Sequence, residues 1–388
     1  MKVAVIGGGI AGAAAAFEIS RQGERATVFH DVAGSSSLYS GAVDLEPWDR
    51  AGAPSALEPE LAQFCTELGV WELGAAARRL ATLEGNVRPA RGSDRALLDL
   101  ERCAGKRVAV VDLERDDWDA PLLAKSYAAS AWARQTQTHF YAARVRALQK
   151  GFERRISGYD FAALHDAPER AQSLEAALRE SEVTPDAWLF GPWLGIERAL
   201  GAELSQALGV PVGETTSALG GSAGARFENA RDALLGRVAD VERARITGIA
   251  RSGKSYRVEF STRAPVEFSA IVLATGGVAA GGVALERSFE RRGGTGFRLS
   301  FAAPVLLELD GEVLEGVSSL SSIDFVDRGL STLLRVGIGV REDGSARDNP
   351  GLFVAGDAAS GRPRTALVAA SSGLSAARHA LDYVRRSG

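Results

Sequence analysis

Apolar positions along the chain follow two rhythms. Short unbroken runs at 2–6, 25–29, 106–113, 271–274 and 352–355 have the pattern of strands buried on both faces of a parallel sheet. Longer stretches with apolar residues three and four apart, at 10–21, 120–154 and 167–182, predict helices. Residues 52–104 also read as helices with scattered polar faces, and an alanine-rich helix is expected from about Ala366, broken or opened near Ser371 and Gly373. The segments 205–208 and 229–241, with the alternating "SYRVEFS" and "VEFSAIVLA", suggest that the elements of the first strands return after an insertion. Strand, helix and strand at the start predict an α/β doubly wound parallel sheet.

Composition narrows the function class. A chain of 388 residues with 46% hydrophobic and 24% charged residues can bury a large core, which excludes disorder. Lysine plus arginine (45) against aspartate plus glutamate (49) gives 45 − 49 = −4, so no overall positive field exists to hold nucleic acid. Cys65 and Cys103 match no metal-binding spacing and read as small buried hydrophobes in a reducing compartment. No metal site is expected. The amino terminus enters a strand directly, so no secretory signal is expected, and no run of about 18 apolar residues could span a bilayer.

The chemistry begins at Gly7, Gly9 and Gly12, which form G-x-G-x-x-G between the first strand and a helix opening at Ile10 and Ala11. The first glycine allows a tight turn, the second lets backbone approach a pyrophosphate, and the third lets helix and strand pack closely. The helix amino terminus then offers unpaired N–H groups to phosphate. The second strand should end in an acid that grips a ribose, but "RATVFHD" places His30 there and Asp31 one residue later. Either residue could hold the ribose, or the ligand could be a mononucleotide. The loop 31–48, "DVAGSSSLYSGAVDLEPW", brings Ser36, Ser37 and Gly41 toward a phosphate or a ring. Further on, "IVLATGG" ends a strand at Thr275 and Gly276, and "LFVAGD" ends another at Gly356 and Asp357. Asp357 is placed to hold ribitol hydroxyls, with the Gly373 region of the last helix behind it. A nicotinamide enzyme has no need of this second element, so it shifts the expected ligand toward a flavin.

These three motifs resemble the FAD-dependent oxidoreductase superfamily related to glutathione reductase, fumarate reductase and amino acid oxidases. More narrowly the chain resembles the family of B subunits of the anaerobic glycerol-3-phosphate dehydrogenase. That likeness is carried by "SSSLYSGAVDL", "GKRVAVVDLERDDWDAPLLAKSY", "GPWLGIERA", "ALGVPVGET", "ATGGVAAGGV" and "RVGIGVREDGSARDNPGLFVAGD". The segment "AASGRPRTALVAASSG" departs from it, with Arg362, Pro363 and Arg364 where relatives are richer in glycine. The resemblance implies a Rossmann-like FAD-binding domain, helices on both faces of its sheet, with an inserted α+β cap or substrate domain. The implied divisions are an FAD-binding domain at 1–115, 205–290 and 331–388, a mainly helical cap at 116–204, and cap strands at 291–330. FAD is the implied cofactor, with FMN as the alternative, acting on a small-molecule substrate. The family also implies partner dehydrogenase or electron-transfer subunits, and a cytoplasmic protein held peripherally at the inner face of the membrane through them.

Three functions compete: a flavin-dependent oxidoreductase, a flavin-binding electron-transfer or assembly subunit without a substrate of its own, and, last, a single-motif NAD-dependent dehydrogenase. Candidates for chemistry are few. His139 and His165 could transfer protons, although a structural histidine is the simpler reading of each. Arg226, Arg298, Arg335, Arg362 and Arg364 could clamp a carboxylate or phosphate, with Arg335 and Arg364 favoured because they flank the strand that delivers Asp357.

Overall fold

The computed structural model describes residues 2–31, 34–45, 57–288, 294–314 and 335–387. The parallel strands in chain order are β1 (Val3–Ile6), β2 (Ala26–His30), β3 (Arg107–Asp112), β4 (His139–Arg144), β5 (Ala187–Phe190), β6 (Val212–Glu214), β7 (Ala239–Arg243), β8 (Ala270–Leu273) and β9 (Leu352–Val354). They form two sheets. The first has the order β7-β2-β1-β8-β9, and the second, β4-β3-β5-β6, lies in sequence wholly between β2 and β7. Helices cover one face of the first sheet and antiparallel strands the other, where helices on both faces were expected, and this double cover explains its unbroken apolar runs: β1 and β8, like β5 of the second sheet, are buried at every position.

Helix α1 (Ile10–Arg21) packs against the first sheet with α3 (Ala366–Ser387), and α2 (Ser222–Val238) leads into β7. Four alanines in a row, Ala13 to Ala16, are fully buried in α1, which lets helix and sheet approach closely. The Phe29 ring caps the other face against Phe260 and Phe268, from a three-stranded antiparallel sheet of Ile246–Ser252, Ser255–Phe260 and Val266–Phe268.

Several expectations are corrected. Residues 52–104 are not all helical: after a helix at Pro59–Leu68, Trp71–Ala81 and Val87–Asp94 form an antiparallel hairpin joined by Ala42–Val43. Alanine-rich "GAAARRLA" favours a helix locally, but cross-strand pairing decides its state. Residues 120–154 are helical only at Ala120–Ala128, at Ala131–Thr136 and in a short 3-10 turn at Gly151–Arg154, because β4 intervenes as the edge of the second sheet. The stretch 116–204 carries the strands β4 and β5 among its helices, and β3 pairs with these two rather than with the first sheet. Helix α3 runs unbroken through Ser371 and Gly373. Of the strands expected at 291–330, those at Gly294–Leu299, Leu307–Leu309 and Glu312–Val313 are present, and 315–330 lie outside the described residues. No helix among the described residues is long and apolar enough to cross a membrane.

Gly373 shows why α3 stays whole. A Cβ there would stand 2.2 Å from the Ala11 carbonyl oxygen, so the glycine serves a backbone-to-backbone crossing of α1 and α3. Gly236 in α2 faces open space. Gly373→Ala is expected to destabilise by roughly 1–3 kcal/mol through overpacking. Gly236→Ala is expected to stabilise by about 0.5–1 kcal/mol through helix propensity. Chemical denaturation of the two variants checks the opposed signs.

Candidate functional site

A cavity of about 970 Å³ opens at the carboxyl ends of β1, β2, β7, β8 and β9, where doubly wound sheets bind ligands. That volume lies near the top of the roughly 300–1,000 Å³ range of small-molecule and cofactor pockets. One end is walled by Phe29, His30, Asp31 and Ala244 to Ile246, the other by Asp44, Arg88 and Arg362 to Ala366. The glycine turn and Ser36 line the cavity as well, as do Thr275, Gly276, Gly356 and Asp357.

The turn is built by close approach. Gly7 has φ +111°, and a Cβ on it would stand 2.1 Å from the Ala274 carbonyl oxygen. Ser36 sits over the amino terminus of α1: the Ile10 N–H donates to its Oγ at 3.1 Å, and a Cβ on Gly9 would come within 2.9 Å of that oxygen. A second helix amino terminus, that of α3 at Ala366, faces the same cavity, anchored by the Leu367 N–H donating to the Asp44 carbonyl at 3.1 Å. Two positive dipole ends thus converge on one space. The Thr275 hydroxyl oxygen is buried without a hydrogen-bond partner on the same wall. An orphaned buried hydroxyl beside a cavity is the mark of a group that meets a ligand.

Of the residues singled out in the sequence, Gly7, Gly9, Ile10, Ala11, His30, Asp31, Ser36, Thr275, Gly276, Gly356, Asp357, Arg335 and Arg364 line the cavity. Gly12, Ser37, Gly41 and Gly373 do not, and each has a packing role instead. A Cβ on Gly12 would stand 1.9 Å from the Gly7 carbonyl oxygen, and one on Gly41 2.8 Å from Leu97. The Ser37 hydroxyl donates to the Gly34 carbonyl at 2.8 Å, and its own carbonyl lies under Gly224 of α2. The His30 ring packs over Gly8, where a Cβ would meet its Cγ at 3.1 Å. Burial first, and then the Arg231 charge, hold the His30 imidazole below its usual range, so it stays neutral near pH 7.

The other candidates go elsewhere. Arg226 is buried in α2, where its Nε donates to Asp94 at 3.0 Å and its Nη2 to Glu214 at 2.7 Å. Arg298 is exposed on the Gly294–Leu299 strand and His139 at the start of β4; neither lines the cavity. His165 is buried in the second unit, with its Nδ1 2.8 Å from the Trp193 carbonyl oxygen. Both thiols are buried, and burial pushes Cys65 up to about 12 and Cys103 to about 11, so both stay protonated. Among the described residues no cluster could hold a metal ion. Sequence reading missed Arg88, which lies in a stretch taken for helix, and Ala244 to Ile246, whose only signal is that they follow a parallel strand.

Asp357 faces the cavity with Arg364, 3.8 Å away, and burial raises its carboxyl. Arg364 is a strut rather than a free clamp. Its guanidinium donates to the Asp357 carbonyl and, at 2.8 Å, to the Val336 carbonyl, holding two loops together.

Two buried groups outside the cavity make opposed contributions to stability. Burial lowers His165 to about 4, so its folded pKa lies below the usual 6.5; stability is lost as pH falls through that window, because the unfolded chain takes the proton first. Burial raises Glu214 to about 7, since Arg226 neutralises only one of the two carboxylates it touches; stability is lost as pH rises from about 4.5 to 7. His165→Gln should therefore remove a loss of about 2 kcal/mol between pH 7 and pH 5. Glu214→Gln should flatten the opposite slope. Denaturant midpoints at the two pH values measure both.

No family model matches the sequence, and no curated protein does. Solved structures similar to the chain include 3-ketosteroid delta1-dehydrogenase from Sterolibacterium denitrificans in complex with 1,4-androstadiene-3,17-dione. It is 11% identical, with 100% of this chain and 99% of that one covered and a TM-score of 0.40. Glycine oxidase from Geobacillus kaustophilus is 14% identical over 99% of this chain and 94% of its own, with a TM-score of 0.34. The GidA-related protein from Thermus thermophilus is 13% identical over 98% and 97%, with a TM-score of 0.33. Likeness this distant leaves the function to be read from the site itself.

Proposed function

We propose that the chain is a flavin-dependent oxidoreductase that holds FAD along this cavity and acts on a small-molecule substrate. The observation that carries the reading is the convergence of the α1 and α3 amino termini, with the glycine turn, on one cavity. The α1 terminus with Gly7, Gly9 and Ser36 would hold the pyrophosphate, and His30 with Asp31 the adenosine ribose. Asp357 would hold the ribitol, and the α3 terminus would face the ring's pyrimidine edge. The bound flavin supplies the hydride or electron transfer, while the protein binds, orients and excludes water. A nicotinamide site needs only the first of these termini, which argues against the single-motif dehydrogenase.

The finer part of the proposal is kinship with the B subunits of anaerobic glycerol-3-phosphate dehydrogenase, resting on the segments quoted above. It brings with it partner subunits that exchange electrons with the flavin and tie a cytoplasmic protein to the membrane face. The division into an FAD-binding unit and an inserted cap is part of the same proposal, supported by the second sheet lying in sequence between β2 and β7.

The purified protein is expected to be yellow, with bands near about 370 and 450 nm, and to release one FAD per chain on denaturation. Gly9→Val, which drives side chain into Ser36 and the phosphate approach, should abolish flavin retention while leaving the chain folded. A colourless protein that neither FAD nor FMN reconstitutes would overturn the reading. Release of FMN alone would show that His30 and Asp31 hold no ribose.

A further inference from the structure

Positive charge is unevenly satisfied around the cavity. Arg88 is paired with Asp44, and Arg364 is tied to two backbone carbonyls. Arg362 differs from both. It is half-buried on the loop between β9 and α3, lines the cavity, and makes no hydrogen bond or ion pair with any described residue. Burial lowers its guanidinium, and among the described residues no carboxylate offsets it. Arg335 lines the same cavity: its Nη1 donates to Asp310 at 2.7 Å, but its Nε is buried without a partner. The strut Arg364 ties the two together, because it grips the carbonyl of Val336, next to Arg335, from a position two residues beyond Arg362.

A desolvated guanidinium with open donors is costly unless an anion meets it. The cofactor's own phosphates already have a place at the amino terminus of α1. Arg362 stands elsewhere, four residues before the first residue of α3, at the end of the cavity assigned to the flavin ring. We propose that Arg362, on a cavity it lines together with Arg335, forms a subsite for a carboxylate or phosphate group of the substrate, so that this oxidoreductase acts on an organic anion. This rests on the flavin reading above. Guanidinium suits either group, since its forked donors match two oxygens at once.

The test titrates the flavin-loaded protein with acetate and with inorganic phosphate while following the visible flavin band. A saturable spectral change with at least one anion is expected, and the better of the two identifies the group. Arg362→Gln should weaken that binding roughly 10- to 100-fold, the loss of charge-assisted hydrogen bonds, with flavin content and thermal unfolding unchanged. Arg362→Lys should retain part of the affinity, because the charge remains without the fork. Arg335→Gln should give a smaller loss. An unresponsive wild-type protein, or unaltered affinity in Arg362→Gln, would overturn the proposal. So would loss of flavin from Arg362→Gln, which would assign the arginine to the cofactor's phosphates. A wild-type protein that never retains flavin fails one step earlier and removes the flavin reading together with this one.

Discussion

The crossing of α1 and α3 at Gly373 and Ala11 is the constraint on which the site depends. With no side chain between them, the two backbones meet, and a Cβ on Gly373 would already stand 2.2 Å from a carbonyl oxygen. Gly356 continues the same contact: a Cβ there would lie 2.8 Å from the Ala11 side chain. The second turn of α3 and the turn after β9 are therefore pressed against the start of α1. The first residue of each helix, Ile10 and Ala366, lines the one cavity. Packing, rather than any one polar residue, makes the cavity an anion-seeking one in a chain whose net charge is −4.

The same crossing explains what could be read in the sequence. Gly7, Gly9, Gly12, Thr275 and Asp357 were legible because each follows a short buried strand, and the carboxyl ends of such strands meet at one edge. Gly373 was read as a weak point of a helix because local propensity treats any interior glycine so. Its purpose is fixed by Ala11, 362 positions away (373 − 11 = 362), and no local pattern records that. Residues 71–94 failed for a related reason. Their state is decided by pairing, and Gly92, where a Cβ would press on Leu73 at 2.2 Å, is a cross-strand contact that a helical pattern cannot show.

The second parallel sheet offers an instructive contrast. Its order reverses between β3 and β5, the switch point at which such sheets open a ligand crevice. Here the space beyond those strand ends is filled. Arg115, following β3, lies over the rings of Phe161 and Trp193 at 4.5 and 5.2 Å, and Trp118 meets Trp193 edge-on at 5.1 Å. Arg115 also donates to the carbonyls of Glu153 and Ile156 at 2.6 and 2.7 Å, so its donors are met within the protein. His165, bonded to the Trp193 carbonyl, belongs to this plug and not to a proton path. Topology offers a crevice at both sheets, and at the second the side chains of Arg115, Trp118, Phe161 and Trp193 pack together there.

One link between the surroundings of the two sheets is a buried charge cluster. Arg226 of α2 reaches Asp94 at the end of the hairpin and Glu214 at the end of β6, and its Nη1 donates to the Gly195 carbonyl at 2.8 Å. Burial is what lifts Glu214 to about 7, with the neighbouring Asp94 charge adding to it while Arg226 opposes it. Two residues earlier on the same helix, Gly224 packs on the backbone of Ser37, next to Ser36, which accepts from the first N–H of α1. Ser36 is thus linked through α2 to the Arg226, Asp94 and Glu214 cluster.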